Sequence, residues 1–229
     1  MYRLSDWIAE DPLRCQVLAC VAQLHLPDAW VAAGFVRNLV WDRLHGYTVP
    51  TPLTDIDVIY FDPVCRDPER DTELENRLRA CAALPWSVKN QARMHKRNGD
   101  APYHCSLDAM SYWVEVETAL AARLLPGGQI KIASPFVQHG LFKLHATPNP
   151  KRYKPDVFRQ RQHEKGWARR WPKLRFPPAV HIPPNCRTDC RTGKIVFRTR
   201  TTHETPLPTD YTHGRPVIMD IRLRDPGTL

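Results

Sequence analysis

The sequence lacks any run of apolar residues long enough to cross a membrane, since a spanning helix needs about 20 of them in a row. Its first residues, Met1–Asp6, do not have the shape of a secretory signal peptide. The seven cysteines are odd in number and irregularly spaced, so no disulfide framework is indicated and free thiols are expected. Together these absences predict a cytoplasmic protein that has no membrane partner.

A glycine-rich phosphate loop is also missing. The ten glycines include one adjacent pair, Gly127-Gly128. Neither the helix nor the lysine that follows such a loop comes after this pair, so it is predicted to be a turn.

Positive charge is concentrated in one short segment. The chain carries a net charge of +9, yet residues 151–175 alone contain ten basic and two acidic residues. Four aromatic residues are interleaved with these cations: Tyr153, Phe158, Trp167 and Trp171. The mixture suits phosphate binding with base stacking. It also suits an amphipathic segment that docks its aromatic side chains on the core and leaves its cations in water.

The length of 229 residues and the hydrophobic fraction of 42% suit one packed domain with an appendage. We predict a domain over residues 1–150, a basic segment over 151–178 packed on it, and a tail over 179–229 that is flexible or forms a small hairpin. Apolar periodicity predicts an opening helix over residues 4–24. The next strand after the central motif is predicted at residues 86–94.

Two aspartates mark the centre of the sequence. The segment from Asp55 to Asp62 has the β-branched and aromatic residues of a strand. Because successive strand side chains point to opposite faces, Asp55 and Asp57 share one face. Carboxylates this close repel each other unless a cation relieves them, and Mg²⁺ favours carboxylate and phosphate oxygens. The pair therefore predicts a Mg²⁺ site, with a surface Asp-x-Asp that binds no metal as the alternative.

The segment before these aspartates suits phosphate binding. Gly34 lies where a short apolar strand turns into a helix, and backbone N–H groups at such a turn can receive a phosphate. Arg37 and Asn38 fall in the first helical turn, near enough to contact the same ligand.

These motifs resemble a known signature. Gly34-Phe35-Val36-Arg37-Asn38, followed by Asp55-Ile56-Asp57, is similar to the Gly-Gly-x-Val-Arg-Asp … Asp-x-Asp signature of the DNA-polymerase-β-type nucleotidyltransferase superfamily. The tRNA CCA-adding enzymes show this variant. Ala33 stands where the first glycine is usual, and Asn38 replaces the aspartate.

A longer similarity, from Asp28 to Leu174, is to a small bacterial group of nucleotidyltransferase family proteins. It rests on the ordered segments Trp86–His95, Asn98-Gly99, Pro102-Tyr103 and Ala133–Phe136. The resemblance implies an α+β fold of the polymerase-β-like nucleotidyltransferase type, with a small mixed sheet flanked by helices. It also favours docking of the basic segment, because similar proteins carry that segment too.

The resemblance implies a Mg²⁺-dependent nucleotidyltransferase. Asp55 and Asp57 would hold the metal against a nucleoside triphosphate while an acceptor oxygen attacks the α-phosphate in line and expels pyrophosphate. The acceptor is open: a small molecule, an RNA end or a protein. Arg37 would pair with a phosphate or brace the Asp-x-Asp strand. Lys89 and Arg93 would neutralise phosphate charge, and Asn90 is placed with them among the nucleotide- and phosphate-binding residues.

A third carboxylate is harder to assign. In this superfamily it usually comes from a later strand, but residues 86–94 carry no acid, and Asn90 offers at best a neutral oxygen. Of the next acids, Asp108, Glu115 and Glu117, we predict Glu117 as the third catalytic carboxylate, with a helix-cap or salt-bridge role as the alternative. The missing acid also leaves a second hypothesis, a nucleotide- or nucleic-acid-binding protein that kept the fold and lost turnover.

Overall fold

The computed structural model describes residues 4–177 and the backbone of two short strands at 186–188 and 195–197. Most of the predicted tail, 179–229, lies outside the described residues, and the division of the chain into 1–150, 151–178 and 179–229 stays a prediction. Within the described residues, no helix combines the length and the apolar character that crossing a bilayer requires.

A five-stranded sheet forms the centre of the molecule, in the order β3-β2-β1-β4-β5. Its strands are β1 (Trp30–Ala32), β2 (Ile56–Tyr60), β3 (Trp86–Asn90), β4 (Ala121–Leu124) and β5 (Ile130–Ala133). The pair β2–β3 is parallel, and the other neighbouring pairs are antiparallel. The small mixed sheet confirms the predicted α+β fold.

Helices flank this sheet. They are α1 (Leu4–Ala9), α2 (Pro12–Ala22), α3 (Gly34–His45), α4 (Pro68–Cys81), α5 (Gln91–Asn98), α6 (Ser106–Met110), α7 (His139–Phe142), α8 (Pro155–Glu164) and α9 (Trp167–Arg170). A 3₁₀ turn covers Pro150–Arg152, and β6 (Cys186–Thr188) pairs antiparallel with β7 (Ile195–Phe197).

Two predicted elements are wrong in their bounds. The single helix expected over residues 4–24 is two helices, because Asp11 caps α2 through a hydrogen bond from the Arg14 N–H (3.0 Å) and Pro12 takes the first helical position. The strand expected over 86–94 ends at Asn90. The side chain of Asn90 accepts the Ala92 N–H (3.1 Å) and so begins α5.

The basic segment contributes to the main hydrophobic core. Phe158, Trp167 and Trp171 are buried in it, whereas Tyr153 is 56% exposed. Trp41 of α3 packs edge-on against both tryptophans, with ring centroids 5.6 Å from Trp167 and 5.0 Å from Trp171. Three of the four interleaved aromatic residues therefore dock, and their packing fixes where the neighbouring cations lie.

The expectation of free thiols throughout is wrong. Cys20 and Cys81 form a disulfide that joins α2 to α4, while Cys15 and Cys65 are free. Irregular spacing could not predict this pair, because 61 residues separate the two cysteines and only the packing of α2 near α4 brings them together. The argument from thiols to a cytoplasmic location therefore loses its support.

The disulfide predicts a loss of stability when it is removed. Cys81→Ser should lower the free energy of unfolding by about 3 kcal/mol, because closing a loop of this length restricts the unfolded chain. Urea unfolding under non-reducing conditions measures the change. Cys15→Ser, which removes a free thiol, is the matched control, and equal stabilities of the two variants would contradict the prediction.

Candidate active site

The two aspartates lie at the start of β2, in the middle of the sheet. Asp55 immediately precedes the strand, and Asp57 is its second residue, paired in register with Ala32 of β1 and Ser87 of β3. A cleft of about 300 Å³ opens beside Asp57. Residues that line it include Ala33, Ser87, Lys89, Glu115, Thr118 and Arg161.

Burial and mutual repulsion make this pair of carboxylates costly. The pKa of Asp57 rises to about 6, first because the carboxyl is buried and second because Asp55 is close. Lys165, just after α8, partly offsets the cost, since its Nζ lies 3.1 Å from Asp55 Oδ2. The pair thus has the electrostatics of a cation site, and an amino group of the chain already serves as counter-ion.

Arg37 is a buried cation at the base of the site. Its guanidinium donates to Thr118 Oγ1 (2.7 Å) and to Asn38 Oδ1 (3.0 Å), and it lies 4.8 Å from the ring centroids of both Trp41 and Trp167. Burial lowers its pKa to about 10, against the opposing effect of Glu115, so the group remains charged near neutral pH. Through these contacts Arg37 connects α3 to Thr118 in the cleft wall and to Trp167 of α9.

Of the three later acids, Asp108, Glu115 and Glu117, it is Glu115 that lines the cleft. Its side chain is 1% exposed, and its Oε1 accepts from Arg161 Nε at 2.7 Å. Its Oε2 is buried without a hydrogen-bond partner among the described residues. A buried carboxylate oxygen without a partner is costly, so a hydrogen-bond donor that reached this oxygen from the cleft would relieve that cost.

Glu117, the predicted third carboxylate, belongs to a different network. Its two oxygens accept from the backbone N–H (2.7 Å) and the hydroxyl (2.9 Å) of Thr147, and it is not among the residues that line the cleft. A Cβ on Gly140 would come within 2.3 Å of Glu117 Oε1, so glycine there leaves room for the carboxylate. The structure does not bring Glu117 together with the aspartates.

The turn into α3 departs from the expectation placed on Gly34. The positive φ lies at Ala33 (φ 58°, ψ −122°), the residue that stands where the signature has glycine. No side chain of the described chain caps α3 at this position, so no side-chain acceptor offsets the positive end of the helix dipole there.

The three candidates after β2 differ in their surroundings. Lys89 lines the cleft, where its Nζ lies 3.3 Å from Glu75 Oε1. Asn90 is fully buried, and its amide bonds the backbone of residues 62 and 65. Arg93 pairs with the buried Asp71. Asn90 and Arg93 therefore hold the fold together, and their contacts give no support to the phosphate-binding role predicted for them.

A metal ion fits the aspartate pair by its chemistry. Mg²⁺ is often held by one or two protein carboxylates together with substrate phosphates. Burial and, second to it, repulsion from Asp55 raise the pKa of Asp57, and a bound cation would relieve that repulsion. Within residues 4–177 no group of three or more His, Cys, Asp or Glu side chains is placed to hold a metal ion. The pair would therefore need ligand oxygens to complete the shell.

Sequence reasoning missed Arg161 and Lys165 as members of the site and did not choose Glu115. One signal was present: Arg161 and Lys165 are four residues apart in a helical segment and so project from one face. Nothing in the sequence shows that this face turns toward residues 55 and 115.

The fold and site define a polymerase-β-type nucleotidyltransferase. A solved NMR structure, described as revealing a CCA-adding enzyme head domain, matches with a TM-score of 0.68 and 31% identity over 77% of this chain and 95% of that one. No curated protein sequence matches the chain. The family described as nucleotidyltransferase matches residues 19–176. The chain belongs to this nucleotidyltransferase family.

Ala33 provides a test of the strained turn. Ala33→Gly should raise the free energy of unfolding by about 1 kcal/mol, because glycine adopts this backbone conformation without the Cβ penalty. Thermal unfolding should show an increase in Tm of about 2 °C. Ala32→Gly, one residue earlier in β1, should destabilise the protein, and a loss of stability in both variants would contradict the prediction.

The raised pKa of Glu117 leads us to predict that the stability of the protein depends on pH. Its pKa rises from 4.5 to about 7, with burial as the main cause. Between these values the folded state binds more protons than the unfolded state, so Glu117 lowers the free energy of unfolding as pH rises from about 4.5 to 7. Glu117→Gln removes this effect. As pH rises from about 4.5 to 7, its free energy of unfolding should therefore increase relative to that of the wild type by on the order of 2 kcal/mol.

Urea unfolding at several pH values between 5 and 8 measures the difference between variant and wild type. Glu73→Gln, on the exposed surface of α4, is the control. A difference for Glu117→Gln that stays constant with pH would refute the assignment.

Proposed function

We propose that this protein transfers a nucleoside monophosphate from a nucleoside triphosphate to an acceptor hydroxyl, with Mg²⁺ as cofactor. The observation that carries the proposal is the position of Asp55 and Asp57, which share one face at the start of β2, with Asp57 lining the cleft beside the uncapped turn into α3. Membership of the nucleotidyltransferase family supports the same reaction class.

Asp55 and Asp57 are the residues that would hold Mg²⁺. When bound, the ion supplies charge neutralisation for the triphosphate and for the leaving pyrophosphate. The pair is suited to this role because one carboxylate is half-exposed and reachable while the other is partly buried and fixed on a strand.

The other residues of the site bind and orient. The first N–H groups of α3, at Gly34 and Phe35, would receive phosphate oxygens. Arg37 keeps α3 in place against Thr118, and its positive charge favours the ionised aspartates. Lys89, at the cleft wall, would add a charge that neutralises phosphate.

Glu115 replaces Glu117 as our candidate for the third carboxylate. Glu115 is a lining residue of the cleft and its buried Oε2 has no hydrogen-bond partner among the described residues, whereas both oxygens of Glu117 are bonded to Thr147. Glu115 would accept a hydrogen bond from the acceptor hydroxyl and so orient its oxygen toward the α-phosphate.

The acceptor would be a small molecule, an RNA end or a protein side chain. A second candidate function is nucleotide or nucleic-acid binding without turnover. The observation that favours it is the absence, within residues 4–177, of a group of three acids placed to hold metal. The two functions share nucleotide binding and differ in whether Glu115 completes the site.

Calorimetry with each common nucleoside triphosphate and Mg²⁺ tests the shared step. The wild type should bind at least one of them, and the double variant Asp55→Asn/Asp57→Asn should lose most of that affinity, at least tenfold, because both metal ligands lose their charge.

Asp156→Asn is the matched control, because it removes one carboxylate whose side chain is 89% exposed on α8. Its affinity should equal that of the wild type. If no triphosphate binds to the folded wild type, the transferase proposal fails. If binding persists in the double variant, the aspartates are not the metal site.

A further inference from the structure

Two cations of the basic segment pair with carboxylates of the candidate site, and one of them, Arg161, also lines the cleft. Arg161 Nε lies 2.7 Å from Glu115 Oε1, and Lys165 Nζ lies 3.1 Å from Asp55 Oδ2. Each of these two carboxylates is thus paired with its own cation. Both also act on Asp57, where they oppose the rise of its pKa.

The backbone that carries these cations is firmly held. Phe158 and Trp167, which bracket them in sequence, are buried in the main core. Trp171 is buried as well, and its indole N–H donates to Asp42 Oδ1 at 2.7 Å. The side chains themselves keep some freedom, since those of Arg161 and Lys165 are 35% and 40% exposed.

Lys165 and a metal ion need the same carboxylate. An ammonium group paired with Asp55 must leave when Mg²⁺ binds there, because the two cations repel each other and Asp55 Oδ2 cannot serve both equally well. Since the packed α8–α9 region cannot move far, the freed amine remains next to the site. Its three N–H donors suit a phosphate oxygen, which binds lysine strongly through charge-assisted hydrogen bonds.

We propose that Lys165 exchanges partners during substrate binding: it is the counter-ion of Asp55 in the nucleotide-free protein and a triphosphate ligand once Mg²⁺ has taken Asp55. Arg161 stays on Glu115 and keeps that carboxylate in place. The inference rests on the proposed function and deepens it by naming a substrate-binding residue. This exchange makes metal and nucleotide binding cooperative, because Mg²⁺ displaces Lys165 from Asp55 and the triphosphate provides the displaced amine with a new partner.

The pairing of these two side chains with carboxylates of the candidate site favours a triphosphate over a nucleic acid as the ligand of this face. Arg159 of the same helix points outward, with a side chain that is 70% exposed and paired with Asp156. A nucleic-acid surface would draw on such outward cations, whereas Arg161 and Lys165 are held on carboxylates of the cleft.

The test compares Lys165→Ala, Lys165→Arg and the control Arg159→Ala in the full-length protein. Two affinities are measured: that of Mn²⁺ alone, from the electron paramagnetic resonance signal of the free ion, and that of a nucleoside triphosphate at saturating Mg²⁺, by calorimetry. Lys165→Ala should bind Mn²⁺ about threefold more tightly, because its competitor is gone. It should bind the triphosphate about tenfold more weakly, because a charged donor is lost.

Lys165→Arg should stay close to the wild type in both measurements, and Arg159→Ala should match it. Tighter Mn²⁺ binding with unchanged triphosphate binding would overturn the exchange and leave Lys165 as a counter-ion only. Weaker binding of a single-stranded RNA oligomer by Lys165→Ala and Arg159→Ala alike, with both other affinities unchanged, would overturn it in favour of a nucleic-acid surface.

Failure of the inference can be told apart from failure of the proposed function. If the wild type binds triphosphate and Lys165→Ala binds it equally well, only the exchange is overturned. If the wild type binds no triphosphate at all, the proposed function and the exchange both fall.

Discussion

Two carboxylates on one face of β2, those of Asp55 and Asp57, repel each other, and the burial of Asp57 makes the repulsion more costly. Glu115 adds a third negative charge at the cleft, and it is almost fully buried. A fold that brings these acids together must supply positive charge close by. It does so with Arg37 below the site and with Arg161 and Lys165 from the C-terminal segment.

This need for charge balance explains why residues 151–177 pack on the sheet domain instead of extending into water. Their aromatic residues dock through Trp41, whose ring contacts Trp167 and Trp171, and the same contact encloses the guanidinium of Arg37. Packing and electrostatics are thus joined at one place. The basic segment is both a part of the core and a wall of the active site.

In the partner exchange that we propose, a metal ion bound by the aspartates would leave Lys165 without a counter-ion, and a triphosphate would supply one. The neighbouring turn into α3 has a positive φ at Ala33 and no side-chain cap from the described residues, and it would add backbone N–H groups for phosphate binding. Substrate binding would then be coupled to a rearrangement of charges, while the buried tryptophans hold the backbone in place.

The sequence alone determined the local features: the alternation that places Asp55 and Asp57 on one face, and the turn before α3. The α+β class was implied by the resemblance to the superfamily. The local features depend on neighbouring residues, and a strand or a helix cap is decided over a few positions. Tertiary structure decided the choice between Glu115 and Glu117, which are two residues apart and yet bind Arg161 and Thr147 respectively. It also decided that Arg161 and Lys165 face the aspartates and that Cys20 meets Cys81. Such contacts join residues 30 to 110 positions apart, and they form only when the packing of the core fixes where each helix lies.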